Sequence, residues 1–263
     1  MRIEMTQLEK LLYLNHILLD EMPQYKEQGM RFAQDEESQY RLFRSLVNIR
    51  PAMECSEDFL KIQDAYLQQN IGENTVVNLQ ECTQMQPNIY LWKGDITRLE
   101  VDAIVNAAND ALLGCFVPCH GCIDNAIHTK AGVQLRKTCD EIMKKQGHRE
   151  ETGVAKLTAG YNLPCKYIIH TVGPIIYGRL REEDCELLKS CYRSCMELAI
   201  QNNLESIAFC CISTGEFHFP NEKACEIAVE EVRQILEETK SEIKVVFNVF
   251  KEIDYELYGK LLG

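Results

Sequence analysis

The sequence predicts an α/β domain preceded by a helical N-terminal extension, and three observations lead there. From about residue 88 onward, short apolar β-rich runs alternate with helical patterns, the order that builds a sheet covered on both faces by helices. Before that point the apolar residues recur at helical spacing. The chain has 263 residues, 46% hydrophobic and 26% charged, which suits one large globular domain with a substantial appendage. The extension is expected over residues 1–75 and the α/β domain over 76–263.

In chain order, residues 5–22 place Leu8, Leu11, Leu12, Leu14, Leu18 and Leu19 on one helical face. A second helical pattern covers 38–49 and is stopped by Pro51. A third covers about 57–70. Strands are expected at Ile89–Trp92, Ala103–Asn106, Ala155–Asn162, Tyr167–Val172, Ile207–Ile212 and Val245–Phe250. Helices are expected at 123–145, 184–202, 221–239 and 253–262. In a sheet of this kind ligands gather beyond the carboxyl ends of the strands, so the loops that follow the strands are where chemistry is sought.

Charge and cysteine content narrow the function classes. Forty acidic residues against 28 Lys and Arg leave a net charge of −12, which opposes a nucleic-acid partner. No run of about 18 apolar residues offers a membrane span. The N-terminus lacks the basic start and compact apolar run of a signal peptide, so a cytoplasmic protein is expected. Thirteen cysteines, an odd number, do not read as a disulfide framework. Cys185, Cys191 and Cys195 in a helical pattern, and Cys210 and Cys211 in a strand, are expected to pack as small apolar groups.

Four loops carry candidate chemistry. In 92–97 (WKGDIT), Asp95 is either a cap for the next turn or a carboxylate that binds an adenine amino group. In 103–110 (AIVNAAND), Asn106 and Asn109 end an apolar strand among small residues. They are either turn formers or amides for ribose hydroxyls. In 211–220 (CISTGEFHFP), a strand passes into Ser213, Thr214, Gly215, Glu216 and Phe217, with Pro220 at a helix start. Backbone N–H groups there would form an anion cradle, a means for an acidic protein to hold an anionic ligand.

The densest signal is 113–128 (LGCFVPCHGCIDNAIH). Cys115, Cys119, His120 and Cys122 fall within eight residues, and thiolates with imidazole are preferred zinc ligands. Neighbouring side chains rarely reach the same ion, so Cys115, His120 and Cys122 form the expected set, with the loop reversing at Pro118. Three ligands leave a fourth position open, as in catalytic zinc sites. A four-ligand structural zinc, or no metal, are the competing possibilities. Asp124 is either a first-turn cap or a group of the same pocket, and His128 is expected to be packed.

Taken together and in order, these segments resemble the macrodomain family. The matches are 94–97 (GDIT), 105–109 (VNAAN), the stretch from Ile123 and Asp124 through His128 to Gly132, 170–174 (HTVGP) and 212–215 (ISTG) with Pro220. Common hydrolytic members carry a run of glycines where this chain has Cys115 to Gly121. That replacement, together with 42–51 (LFRSLVNIRP) in the extension, is similar to the zinc-dependent branch, the microbial protein-ADP-ribose hydrolases. The resemblance implies a mixed central sheet between helices, with ADP-ribose in a cleft above it. Asp95 would recognise adenine, with Ile96 beside it. Residues Ser213 to Phe217 would hold the pyrophosphate, helped by Ile123 and Asp124. Asn106 and Asn109 would orient the distal ribose, with Zn²⁺ held by Cys115, His120 and Cys122.

Asn109 and Asp124 are the implied catalytic residues for release of mono-ADP-ribose from an acidic side chain of a modified protein. A sirtuin-like transferase and a lipoyl-carrier-like protein are the partners that the branch implies. A non-catalytic ADP-ribose-binding module with structural zinc, or an O-acetyl-ADP-ribose deacetylase, would share the same loops.

Overall fold

The computed structural model describes residues 5–73 and 76–263. Its N-terminal part is helical. α1 (Gln7–Glu21) starts at a capping box in which Thr6 and Glu9 satisfy each other's backbone N–H groups. A short α2 (Lys26–Gly29) leads to α3 (Glu36–Ile49), capped by Asp35, and to α4 (Glu57–Glu73). The apolar faces of α1, α3 and α4 meet in one buried cluster that includes Leu11, Leu14, Leu18, Leu42, Phe43, Leu46 and Phe59. Each such side chain contributes roughly 1.5–3 kcal/mol on burial. Val133, far along the chain, joins the same cluster. The expected boundary between extension and α/β domain lies between residues 75 and 76, and residues 74 and 75 fall outside the described residues.

The second part is a seven-stranded sheet with strands β2 (Thr83–Gln86), β3 (Ile89–Lys93), β5 (Ala103–Ala108), β6 (Ala155–Ala159), β7 (Tyr167–Val172), β8 (Ser206–Phe209) and β9 (Lys244–Val249). A separate parallel pair joins β1 (Val77–Asn78) to β4 (Leu99–Glu100). The order across the sheet is β2-β3-β9-β8-β5-β7-β6. Only the edge pairs β2–β3 and β6–β7 are antiparallel, so the sheet is mixed, as expected. Its faces are covered by α5 (Ile123–Ala131), α6 (Val133–Gln146), α7 (Glu182–Gln201), α8 (Asn221–Thr239) and α9 (Glu252–Leu262). The central strands are buried on both faces; Ala103, Ile104, Val105, Ile168, Ile169, Ile207, Val245 and Val246 are wholly enclosed.

The structure corrects several boundaries. The single helix expected over 123–145 is two helices, because Gly132 takes φ +101° and a side chain there would collide with Gln134 and Gln63. The strand expected at Ala155–Asn162 stops at Ala159, where Gly160 turns the chain with its N–H on Lys166 O. The strand expected at Ile207–Ile212 stops at Phe209, which frees residues 210–217 to form a loop. The strands β1, β2 and β4 went unanticipated, being two to four residues long, with β2 wholly polar apart from Met85. Among the described residues no helix is long and apolar enough to cross a membrane. The thirteen cysteines are free thiols, with Cys191, Cys195 and Cys210 buried as expected.

Candidate active site

The carboxyl ends of the parallel strands open into a cleft of about 720 Å³, within the range of small-molecule sites. Asp95, Ile96, Asn109, Cys115, His120, Cys122, Ile123, Asp124 and Ser213 to Phe217 all line it. Residues separated by more than 100 positions in the sequence thus share one surface.

One end is built by the turn after β3 and the loop after β8. Asp95 caps the turn that follows β3 and also pairs with a lysine. Its Oδ1 accepts from the Thr97 N–H (3.0 Å) and hydroxyl (2.6 Å), while Lys130 Nζ donates to Oδ2 at 2.5 Å. Burial works to raise the Asp95 carboxyl, but Lys130 and Thr97 outweigh it and hold it below its ordinary value. In the loop after β8, Ser213 adopts φ +64°, a region costly for a residue with a side chain. The turn is closed by Phe219 N–H on Ser213 O and His218 N–H on Gly215 O. Among the described residues the N–H groups of Gly215, Glu216 and Phe217 find no partner within the chain. Such free amides can hold an anion. Gly173, in the 170–174 segment, makes the loop possible: a Cβ there would lie 2.0 Å from Ser213 Oγ.

The other end is the cysteine loop and the start of α5. Cys115, His120 and Cys122 bring their ligand atoms within 4.8 Å of one another. Cys115 Sγ is 3.6 Å from His120 Nδ1, while His120 Nε2 lies 3.7 Å from Glu216 Oε1. Two thiols and an imidazole match a zinc donor set, and a carboxylate beside the second ring nitrogen is the usual support for a ligating histidine. Cys122 is the N-cap of α5, its Sγ accepting from the Asn125 N–H at 3.4 Å. Burial, with Cys115 and Asp124 beside it, pushes the bare Cys122 thiol up to about 12; a divalent cation would supply the missing countercharge. Cys119, with φ +55°, turns the other way and lies 3.3 Å from Ser45 Oγ. It stands outside the set, as the spacing argument expects.

Asp124 is buried at the first turn of α5, and both of its oxygens are held by asparagines. Asn106 Nδ2 donates to Oδ1 at 2.8 Å and Asn109 Nδ2 to Oδ2 at 3.3 Å. Burial raises the Asp124 carboxyl to about 6, with Asn106 and Arg136 pulling it down. Here the structure departs from the sequence-based expectation. Asn106 is fully buried behind the cleft wall, outside the lining, and bridges Asp124 to His170 Nδ1 at 3.1 Å. It reaches the cleft through Asp124 rather than by touching a ribose. The reason is its position within β5, where the period-two alternation points it under α5. His128 is buried as expected, packed on the backbone of Gly114, whose φ of +81° leaves no room for a side chain beside the ring.

A second set, His128, Cys139 and His170, also gathers its donor atoms within 4.8 Å. Its chemistry is different. Both His170 nitrogens are engaged, by Asn106 and by Thr158 at 2.9 Å, and the Arg136 charge acts on His128. Burial holds both imidazoles neutral.

Comparison with known proteins agrees with this fold. The Macro domain family matches residues 105–228. A protein of Treponema medium called protein-ADP-ribose hydrolase is 52% identical over 98% of this chain and 100% of its own length. The chain belongs to the macrodomain family. A second relative of the same name, from Staphylococcus aureus (strain Mu50 / ATCC 700699), is 51% identical over 86% of each chain. Among solved structures, the Trypanosoma brucei macrodomain in complex with ADP-ribose superposes with a TM-score of 0.66 at 33% identity, covering 84% of this chain and 95% of that one.

Several residues of this macrodomain's cleft were missed in the sequence. Phe250, 78% exposed, stands on the rim just past β9, and Asn248 and Lys251 flank it. An exposed aromatic at a strand's carboxyl end was the available signal. Lys130 does not line the cleft but pairs with Asp95 there, and only the fold sets the two together.

Proposed function

We propose that this chain is a zinc-dependent hydrolase that removes mono-ADP-ribose from a modified protein, at an acidic side chain. The observation that carries this reading is the placement of Cys115, His120 and Cys122 within 4.8 Å of one another on the wall that also carries Asp124 and Asn109. The relatives named protein-ADP-ribose hydrolase support it over most of the chain's length. Bound by these three ligands, Zn²⁺ would keep a position open to polarise a ribose hydroxyl or to lower the pKa of water.

The chain's own residues divide the remaining work. Asp95 accepts from the adenine amino group, beside Ile96. The free N–H groups of Gly215, Glu216 and Phe217 hold the pyrophosphate, with Ile123 and Asp124 at the N-terminus of α5. That leaves the distal ribose between Asn109, Asp124 and the cysteine loop. Asp124, locked by Asn106 and Asn109, orients water against the bond between ribose and side chain and accepts its proton. Asn109 is itself fixed, donating to Gly114 O at 3.1 Å and accepting from the Ala111 N–H at 3.0 Å. The sirtuin-like transferase and lipoyl-carrier-like protein belong to the same reading through family resemblance alone.

The test is zinc content by mass spectrometry beside ADP-ribose release from mono-ADP-ribosylated protein, before and after chelation. We expect stoichiometric zinc, and a loss of at least about 100-fold in release for Cys122→Ala and for chelated protein. ADP-ribose binding should survive in both. Undiminished release from Cys122→Ala in metal-free buffer would sink the zinc mechanism. Binding without any release from the wild type would make the chain a reader.

A further inference from the structure

The segment 42–51 of the extension has no part in the cleft, yet it meets the cysteine loop from behind. We infer that α3 belongs to the metal site: Arg44 and Asn48 are positioning residues that hold the loop of Cys115, His120 and Cys122 in its ligating shape. This rests on the zinc reading above.

The loop from 115 to 122 has no helix or strand of its own, and holding each residue of such a segment in one conformation costs about 1–2 kcal/mol. Its internal support is slight, the His120 N–H on Val117 O at 3.2 Å. The rest comes from outside. Arg44 donates from one guanidinium nitrogen to His120 O at 2.7 Å and to Asn125 Oδ1 at 2.9 Å, with its Nε on the same Oδ1 at 3.3 Å. Asn48 Oδ1 accepts from the Cys119 N–H at 2.9 Å. The carbonyl of one ligand and the amide just before it are therefore both tied to α3.

Asn125 completes the arrangement. Its side-chain oxygen takes the Arg44 fork, its side-chain nitrogen donates to Val117 O at 3.0 Å, and its backbone N–H caps Cys122 Sγ. Asn48 Nδ2 reaches the same helix at Thr129 Oγ1 (2.9 Å), and that hydroxyl donates to Asn125 O at 2.7 Å. From the opposite side Arg136 donates to Leu113 O, just before the loop, and to Val47 O and Arg50 O at the end of α3. The ligands and their brace thus form one hydrogen-bonded unit. Neither Arg44 nor Asn48 lines the cleft, which separates their effect on metal from any effect on ADP-ribose.

The experiment uses the full chain with Arg44→Gln, Arg44→Lys, Asn48→Ala and Cys122→Ala. Zinc affinity is measured by competition with a chromogenic chelator, ADP-ribose affinity by calorimetry and metal-free stability by thermal melting. Groups that support a metal ligand typically contribute 10–100-fold to affinity. We expect Arg44→Gln and Asn48→Ala each to weaken zinc by at least about tenfold, with Arg44→Lys between them and the wild type. ADP-ribose affinity should stay within about threefold, since the cleft lining is untouched. If Arg44→Gln does not fold, Arg44→Lys and Asn48→Ala decide. Zinc held by these variants as tightly as by the wild type overturns the inference and leaves the zinc reading standing. A wild type that binds zinc no better than Cys122→Ala overturns both.

Discussion

The two ends of the cleft are made by different means. At the end proposed for adenine and pyrophosphate the available groups are the Asp95 carboxylate and the backbone N–H groups of Gly215, Glu216 and Phe217, set by the ends of β3 and β8. At the end proposed for the metal they are three side chains on an irregular loop, backed by a helix from a separate hydrophobic cluster. Backbone amides are present whatever the side chain, so the first end depends on loop shape. The second depends on residue identity and on a brace supplied by sequence about 70 residues away. Binding and chemistry are therefore open to separate loss.

Three substitutions probe that separation, beginning with the largest effect. Asp95→Ala removes a partly buried charged acceptor, for which a loss of roughly 2–3 kcal/mol, or about 30–150-fold in ADP-ribose affinity, is expected. Zinc content should be unchanged. Calorimetry and metal analysis on the same preparation check both, and loss of zinc from this variant would break the division between the ends.

The second concerns the buried connection under α5. His170 is wholly buried and burial lowers it to about 4 from 6.5. The unfolded chain binds that proton more readily, so this contribution is complete above about pH 6.5 and is lost as pH falls towards 4. Between pH 7 and 5 it amounts to about 2 kcal/mol. Urea denaturation should show the wild type losing stability over that window, and His170→Gln losing about 2 kcal/mol less. Equal pH slopes for the two proteins would remove His170 as the cause.

The smallest is Gly173→Ala. Its Cβ would displace Ser213 Oγ, at a cost of about 1 kcal/mol in stability and a few-fold in ADP-ribose affinity. Thermal melting and calorimetry measure these, and zinc affinity should not move. An unchanged ADP-ribose affinity would show that Ser213 can shift without disturbing the amides of 215–217.

Much of the site was legible because its residues sit where short-range rules apply. Cys115, His120 and Cys122 are neighbours in sequence, and the argument that adjacent side chains diverge already set Cys119 apart. The loop of Ser213 to Phe217 follows an apolar run, at the place where such sheets bind ligands. Asn106 was misplaced for a related reason: the pattern put it at a strand end facing a ligand, whereas β5 continues to Ala108 and buries it. An aromatic at a strand's carboxyl end was the signal for Phe250, whereas Lys130, which meets the site through Asp95, belongs to no local pattern. Helix 123–145 was read through Gly132 because a lone glycine is tolerable in a helix, and only its φ of +101° shows the break.

What the sequence alone determined is the inventory: alternating strands and helices, an acidic charge balance, a dense Cys/His cluster and the loops that follow the strands. These follow from periodicity and side-chain chemistry within short windows. The tertiary structure decided which groups meet. It set Asn106 behind Asp124, Lys130 against Asp95, and Arg44 and Asn48 behind the cysteine loop. Such pairings arise from packing between elements far apart in the chain, where no local preference specifies the partner.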